Sequence, residues 1–87
     1  MHVGELVQQA RRQVSELTGL QTETVVGLNP AGDNRWAVTV EVLELARVPS
    51  TMDVLGTFEV TLSTDGELLH FRRLGHRRRS STENGAS

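Results

Sequence analysis

The chain has 87 residues, of which 23% are charged, with a formal net charge of −2 and no cysteine. That length suits one domain near the lower limit for an unaided apolar core, and the missing cysteine excludes disulfide bracing and any thiolate metal site. No apolar run approaches the roughly 20 residues of a spanning helix, and residues 1–10 lack a basic start followed by an apolar core, so a cytoplasmic chain is expected.

Val3, Leu6, Val7, Ala10, Val14 and Leu17 recur at helical spacing, with Glu5, Gln8, Gln9, Arg11, Arg12, Gln13, Ser15 and Glu16 between them. Gly19 stands where a left-handed residue closes a helix. A helix over Val3–Thr18 follows. Its start shows no clear capping residue, which predicts a fraying first turn.

Gln21 to Leu28 reads as a first strand of weak alternation, with Gly27 suggesting a bulge. Asn29-Pro30-Ala31-Gly32-Asp33-Asn34 gathers turn formers, so the chain reverses there. From Arg35 the pattern is clean: Trp36, Val38, Val40 and Val42 alternate with Ala37, Thr39 and Glu41. The alternation slips near Val42 and Leu43, which points to a second bulge or a buried second face. Arg47 to Asp53 leave the strand, since Pro49 cannot donate to a ladder.

A third strand spans Val54 to Ser63, and Asp65-Gly66 supplies a tight hairpin turn. A fourth runs from Glu67 to about Leu74, with Leu69 and Phe71 as its inward residues. The expected fold is α+β: an N-terminal helix packed on a four-stranded antiparallel β-meander. Residues 1–75 form one domain. Residues 76–87 hold no apolar side chain except Ala86 and read as a flexible basic and polar tail.

Chemistry is hard to find in this pattern. His2, His70 and His76 lack ligand spacing, so no metal site is expected. Nor does any serine sit in a nucleophile elbow, and no glycine-rich loop awaits a phosphate or cofactor. Glu41, Glu44 and Glu59 are the candidates for an acid/base pair, Glu41 and Glu59 sharing the wet face if their strands pair; solvated strand residues matched with Arg72 or Arg47 across the sheet are the simpler reading. No enzyme and no cofactor are expected.

Charge divides the chain. Residues 1–71 carry ten carboxylates against four arginines, whereas residues 72–87 carry five arginines against Glu83. An arginine-rich arm is a common nucleic-acid device, so a nucleic-acid-associated regulator using this tail is the alternative reading. The acidic body and the missing recognition helix or stacking platform argue against it. Ala46 to Pro49 and Met52 form an apolar patch at the hairpin end, suited to a protein partner.

One ordered combination is more specific than its pieces. Val38-Thr39-Val40-Glu41-Val42-Leu43-Glu44 is followed by Arg47-Val48-Pro49 and Asp53-Val54-Leu55-Gly56; then come Phe58-Glu59-Val60, Asp65-Gly66-Glu67 and Phe71-Arg72-Arg73. This succession resembles the gas vesicle protein O family, accessory proteins of gas vesicle formation, over about Val3 to Arg79. Ser50 departs from the acidic residue usual after the proline. The resemblance implies a non-enzymatic assembly role, through contacts with other gas vesicle proteins, in the cytoplasm or on the vesicle. Arg47, Pro49, Asp53, Arg72 and Arg73 are the expected partner-binding residues, with Pro49 and Asp53 as simple turn residues the competing view. An edge strand leaves room for self-association.

Overall fold

The computed structural model describes residues 2–46, 48–49 and 52–78. One helix, α1 (Val3–Thr18), precedes four strands: β1 (Gln21–Pro30), β2 (Arg35–Leu45), β3 (Val54–Ser63) and β4 (Leu68–Arg78). The strands form one antiparallel sheet in the order β1-β2-β3-β4, the expected meander.

The start of α1 is better held than its sequence promised. Glu5 reaches back to accept the His2 backbone N–H at 2.9 Å, which satisfies a donor the helix leaves open. At the other end Gly19 adopts φ 71°, and its N–H donates to the Ser15 carbonyl at 2.8 Å. Thr18 adds a further tie, its hydroxyl donating to the Val14 carbonyl and accepting the Leu20 N–H.

Only Leu6, Ala10 and Val14 of the helical stripe are buried; Val3 and Leu17 are about half exposed. A flat sheet touches a cylinder along a narrow line, so the ends of the stripe overhang it. Against those three residues pack Val38, Val40 and Val42 of β2 with Phe58, Val60 and Leu62 of β3. Trp36, Leu20, Val25, Leu28, Leu68 and Phe71 close the margins of this core. Phe71 stacks on Phe58 with ring centroids 5.4 Å apart.

Register shifts place the remaining side chains. The β1–β2 ladder slips between Thr22 and Thr24 and again between Val25 and Gly27, and β2 slips between Leu43 and Leu45. The last two match the bulges expected at Gly27 and near Leu43. In β4, a slip beside Leu62 pairs that residue with Leu68. Leu68 therefore faces the core, and Leu69, expected inward, is exposed.

The fourth strand also outruns its expected end. It continues to Arg78, with His76, Arg77 and Arg78 opposite Gly56, Leu55 and Val54. The tail expected from residue 76 thus begins in the sheet, because backbone pairing with β3 requires no apolar side chain. Residues 79–87 lie outside the described residues.

The two hairpin ends meet: Thr64 N–H donates to the Asn34 carbonyl at 3.0 Å. Asn34 takes φ 59°, which its short polar side chain tolerates. Gly66 takes φ 90° and donates to the Ser63 carbonyl.

Candidate functional site

The helix covers one face of the sheet. The register places Thr39, Glu41, Thr57, Glu59, Gly75, Arg72 and Arg77 on the other face. Among the described residues, Arg72, Arg73 and Arg77 of the fourth strand each make an ion pair that ties β4 to β3 or β2.

Arg72 donates through Nε to Glu59 at 2.9 Å, a contact between residues directly opposite on β4 and β3. Arg73 grips both oxygens of Glu44, at 3.0 and 2.8 Å. Arg77 grips both oxygens of Glu41, at 2.7 and 3.0 Å. The last two pairs stride over β3, since both carboxylates belong to β2. Two strand spacings are about 10 Å, which a long arginine with a two-pronged head can bridge.

The pair between Arg73 and Glu44 has a local enabler. Glu44 occupies the bulge of β2, which turns it from its place in the alternation, and it lies across Gly56 of β3. A Cβ at Gly56 would run into the Glu44 side chain. The guanidinium of Arg73 holds the Glu44 carboxyl below its ordinary range, chiefly by hydrogen bonding and against the effect of burial. Glu44 in turn raises Arg73.

Glu41 departs from expectation. Its side chain is only 6% exposed, although the sequence places it on a wet face. The Arg77 side chain lies over it, so the open face is partly dry at this point. The carboxylate pair considered from the sequence is accordingly split, with Glu41 closed on Arg77 and Glu59 on Arg72. Among the described residues no group of three or more His, Asp or Glu stands close enough to hold a metal ion. A shallow depression along His2, Gly4, Glu5, Gln8, Gln9 and Arg12 belongs to the helix, across the sheet from Glu41.

Of the five residues expected to bind a partner, the four that are described do not gather at one spot. Arg72 and Arg73 are successive strand residues and point to opposite faces. Both remain half exposed while paired. Pro49 is exposed in the connection between β2 and β3, and Asp53 is buried at the foot of that connection. Arg47 lies outside the described residues. Arg72, Arg73 and Arg77 are all occupied by carboxylates, which lowers the positive potential a phosphate backbone would meet.

Arg77 and Gly56 carry much of this arrangement, yet in the sequence one belongs to the tail and the other is an isolated glycine. Two signals point to them. Arginines recur on both sides of Gly75 after Phe71, which allows the strand to run on, and a glycine amid strand-forming residues leaves room for something to cross.

The fold and its clasps define a class: a small helix-on-meander domain whose last edge strand is fastened by arginine–carboxylate pairs. The sequence comparisons place it further. The family model for Gas vesicle synthesis protein GvpO matches residues 1–83, and the chain belongs to that family. It is 48% identical over 62 residues to Gas vesicle protein O of Streptomyces sp. (strain CB03234), a match covering 71% of this chain and 48% of the relative. Gas vesicle protein O of Haloferax mediterranei is 31% identical over 70 residues, 80% of this chain and 50% of that one. Gas vesicle protein O1 of Halobacterium salinarum is 33% identical over 70 residues, 80% of this chain and 58% of that one. The chain spans about half the length of the curated relatives it matches. No solved structure matches it. No helix among the described residues is long and apolar enough to cross a membrane.

Proposed function

We propose that this domain serves gas vesicle formation as a non-enzymatic accessory, acting through contacts with other gas vesicle proteins in the cytoplasm or on the vesicle. The family match over residues 1–83 carries this reading. The relatives bear names from gas vesicle formation, and a role without chemistry agrees with carboxylates already closed on arginines. Arg47, Pro49, Asp53, Arg72 and Arg73 are proposed to act in these contacts. Arg72 and Arg73 would recognise partners by exchanging an internal carboxylate for an external one. Such an exchange needs reachable guanidiniums, and those of Arg72 and Arg73 are about half exposed. Asp53, being buried, would act by shaping the connection that presents Pro49.

The test is complementation of a strain deleted for this gene. Vesicle yield is read by light scattering, and capture of co-expressed vesicle proteins by affinity pull-down. An Arg72→Ala, Arg73→Ala double variant that stays folded should lose both vesicle yield and capture. Undiminished capture and yield would remove these two arginines from the contact, and vesicles formed equally well without the chain would remove the accessory role.

A further inference from the structure

The fourth strand packs as two parts. Leu68 and Phe71 of the first part lie against the core, and Arg73 anchors that part to Glu44. Residues 75–78, Gly-His-Arg-Arg, bring no apolar side chain to the core. Between the two parts the ladder slips: Arg73 stands opposite Phe58 and Gly75 opposite Thr57, so Leu74 has no opposite residue and is 46% exposed. Such a bulge loosens the ladder where it sits. Gly75 follows directly, and a Cβ there would meet nothing within 4 Å. Packing does not require that glycine, whereas its backbone freedom makes the strand easy to bend there.

The main clasp on the second part is nearly balanced between closed and open. Arg77 closes on Glu41, whose side chain is 6% exposed, and two charges taken out of water regain from each other about what they lose in hydration. One donor regains nothing: Nη1 of Arg77 is buried without a hydrogen-bond partner among the described residues. Opening returns that donor and the Glu41 carboxylate to water together. What lies beneath is well defined. Residues 54–57 of β3 stand opposite residues 75–78. Leu55, directly opposite Arg77, is 2% exposed yet stands apart from the core under the helix.

We propose that residues 75–78 form a strap that swings away about Leu74 and Gly75 while the helix and the rest of the sheet stay folded, and that this opening regulates access to Leu55 and to the β3 edge at residues 54–57. The closed form covers that edge with paired backbone. The open form presents unpaired strand backbone beside an apolar side chain, a surface of the kind that accepts another strand. Leu68, Phe71 and the Arg73 clasp keep the first part of β4 in place, so the movement stops at the bulge.

The chain has no cysteine, so one introduced thiol reports on one place. Leu55→Cys and Val60→Cys, at positions 2% and 0% exposed, are labelled with a thiol reagent at urea concentrations below the unfolding transition. The thiol of Leu55→Cys should react at least about a hundredfold faster than that of Val60→Cys once each variant's unfolding stability is allowed for, and with little dependence on urea, since the strap exposes little surface. Adding Arg77→Ala leaves Glu41 buried alone in the closed form and should speed the Leu55→Cys reaction at least about tenfold. Arg72→Ala, before the bulge, should change it less than about twofold. Gly75→Ala should slow it about two- to fivefold by stiffening the hinge. Equal protection of the two thiols, a urea dependence as steep as that of unfolding, or indifference to both Arg77→Ala and Gly75→Ala would each overturn the strap. Amide exchange in the unaltered chain gives a second readout: residues 75–78 should exchange faster than residues 70–73, and opening of the whole fourth strand at once would overturn the hinge.

Discussion

Arg77→Ala is the most telling change the structure suggests. It removes bonds of 2.7 and 3.0 Å to Glu41 and leaves a carboxylate whose side chain is 6% exposed without its partner. Breaking a buried pair by deleting one member costs about 3–5 kcal/mol. Arg77 itself is 36% exposed, so water enters where the guanidinium lay, and the expected loss is nearer to about 2–3 kcal/mol. For a domain of this size that is a fall in Tm of about 10–20 °C, or about 2–3 M in urea midpoint at a slope near 1 kcal/mol/M. Trp36, the sole tryptophan and packed at the core margin, reports the transition by fluorescence. The companion variant Glu41→Leu, Arg77→Met replaces both charges by apolar groups and should lie within about 1 kcal/mol of wild type, because no orphaned charge remains. A loss below about 0.5 kcal/mol for Arg77→Ala would show that the pair is a surface contact and that the burial of Glu41 carries no energetic weight.

Two further outcomes follow from the same geometry. Glu44, held below its ordinary value of 4.5, binds fewer protons folded than unfolded between the two values, so its contribution is complete above the unfolded value and fades as pH falls through the folded one. Urea midpoints of wild type and Glu44→Gln should therefore converge on acidification from pH 6 to pH 3, and Gly56→Ala, which displaces Glu44, should behave like Glu44→Gln; a gap independent of pH would refute the linkage. In the helix, Leu6→Ala should cost about 2–4 kcal/mol and Leu17→Ala no more than about 0.5, measured by urea unfolding, since the first is 1% and the second 52% exposed; equal losses would contradict the way the helix sits on the sheet.

The elements themselves were legible in the residues. Alternation from Trp36 to Val42 and from Val54 to Leu62, helical spacing from Leu6 to Val14, and turn residues at Gly19 and Gly66 each act over a few neighbours. Such local preferences need no knowledge of the rest of the chain. The bulge near Leu43 was also visible, as a break in that alternation. The ordered motif running from Val38 to Arg73 points to the family from the sequence alone.

Tertiary structure decided what depends on which strand lies beside which. The slip at Leu62 turned Leu68 inward and Leu69 outward, a choice that no count along β4 alone can make. Backbone pairing drew Gly75 to Arg78 into the sheet, although no apolar side chain asked for it. Arg77 could then cover Glu41 from two strands away, and Glu44 could cross Gly56 to Arg73. Sequence patterns report on neighbours along the chain; an ion pair between residues 29 or 36 positions apart exists only once the meander has brought three strands side by side.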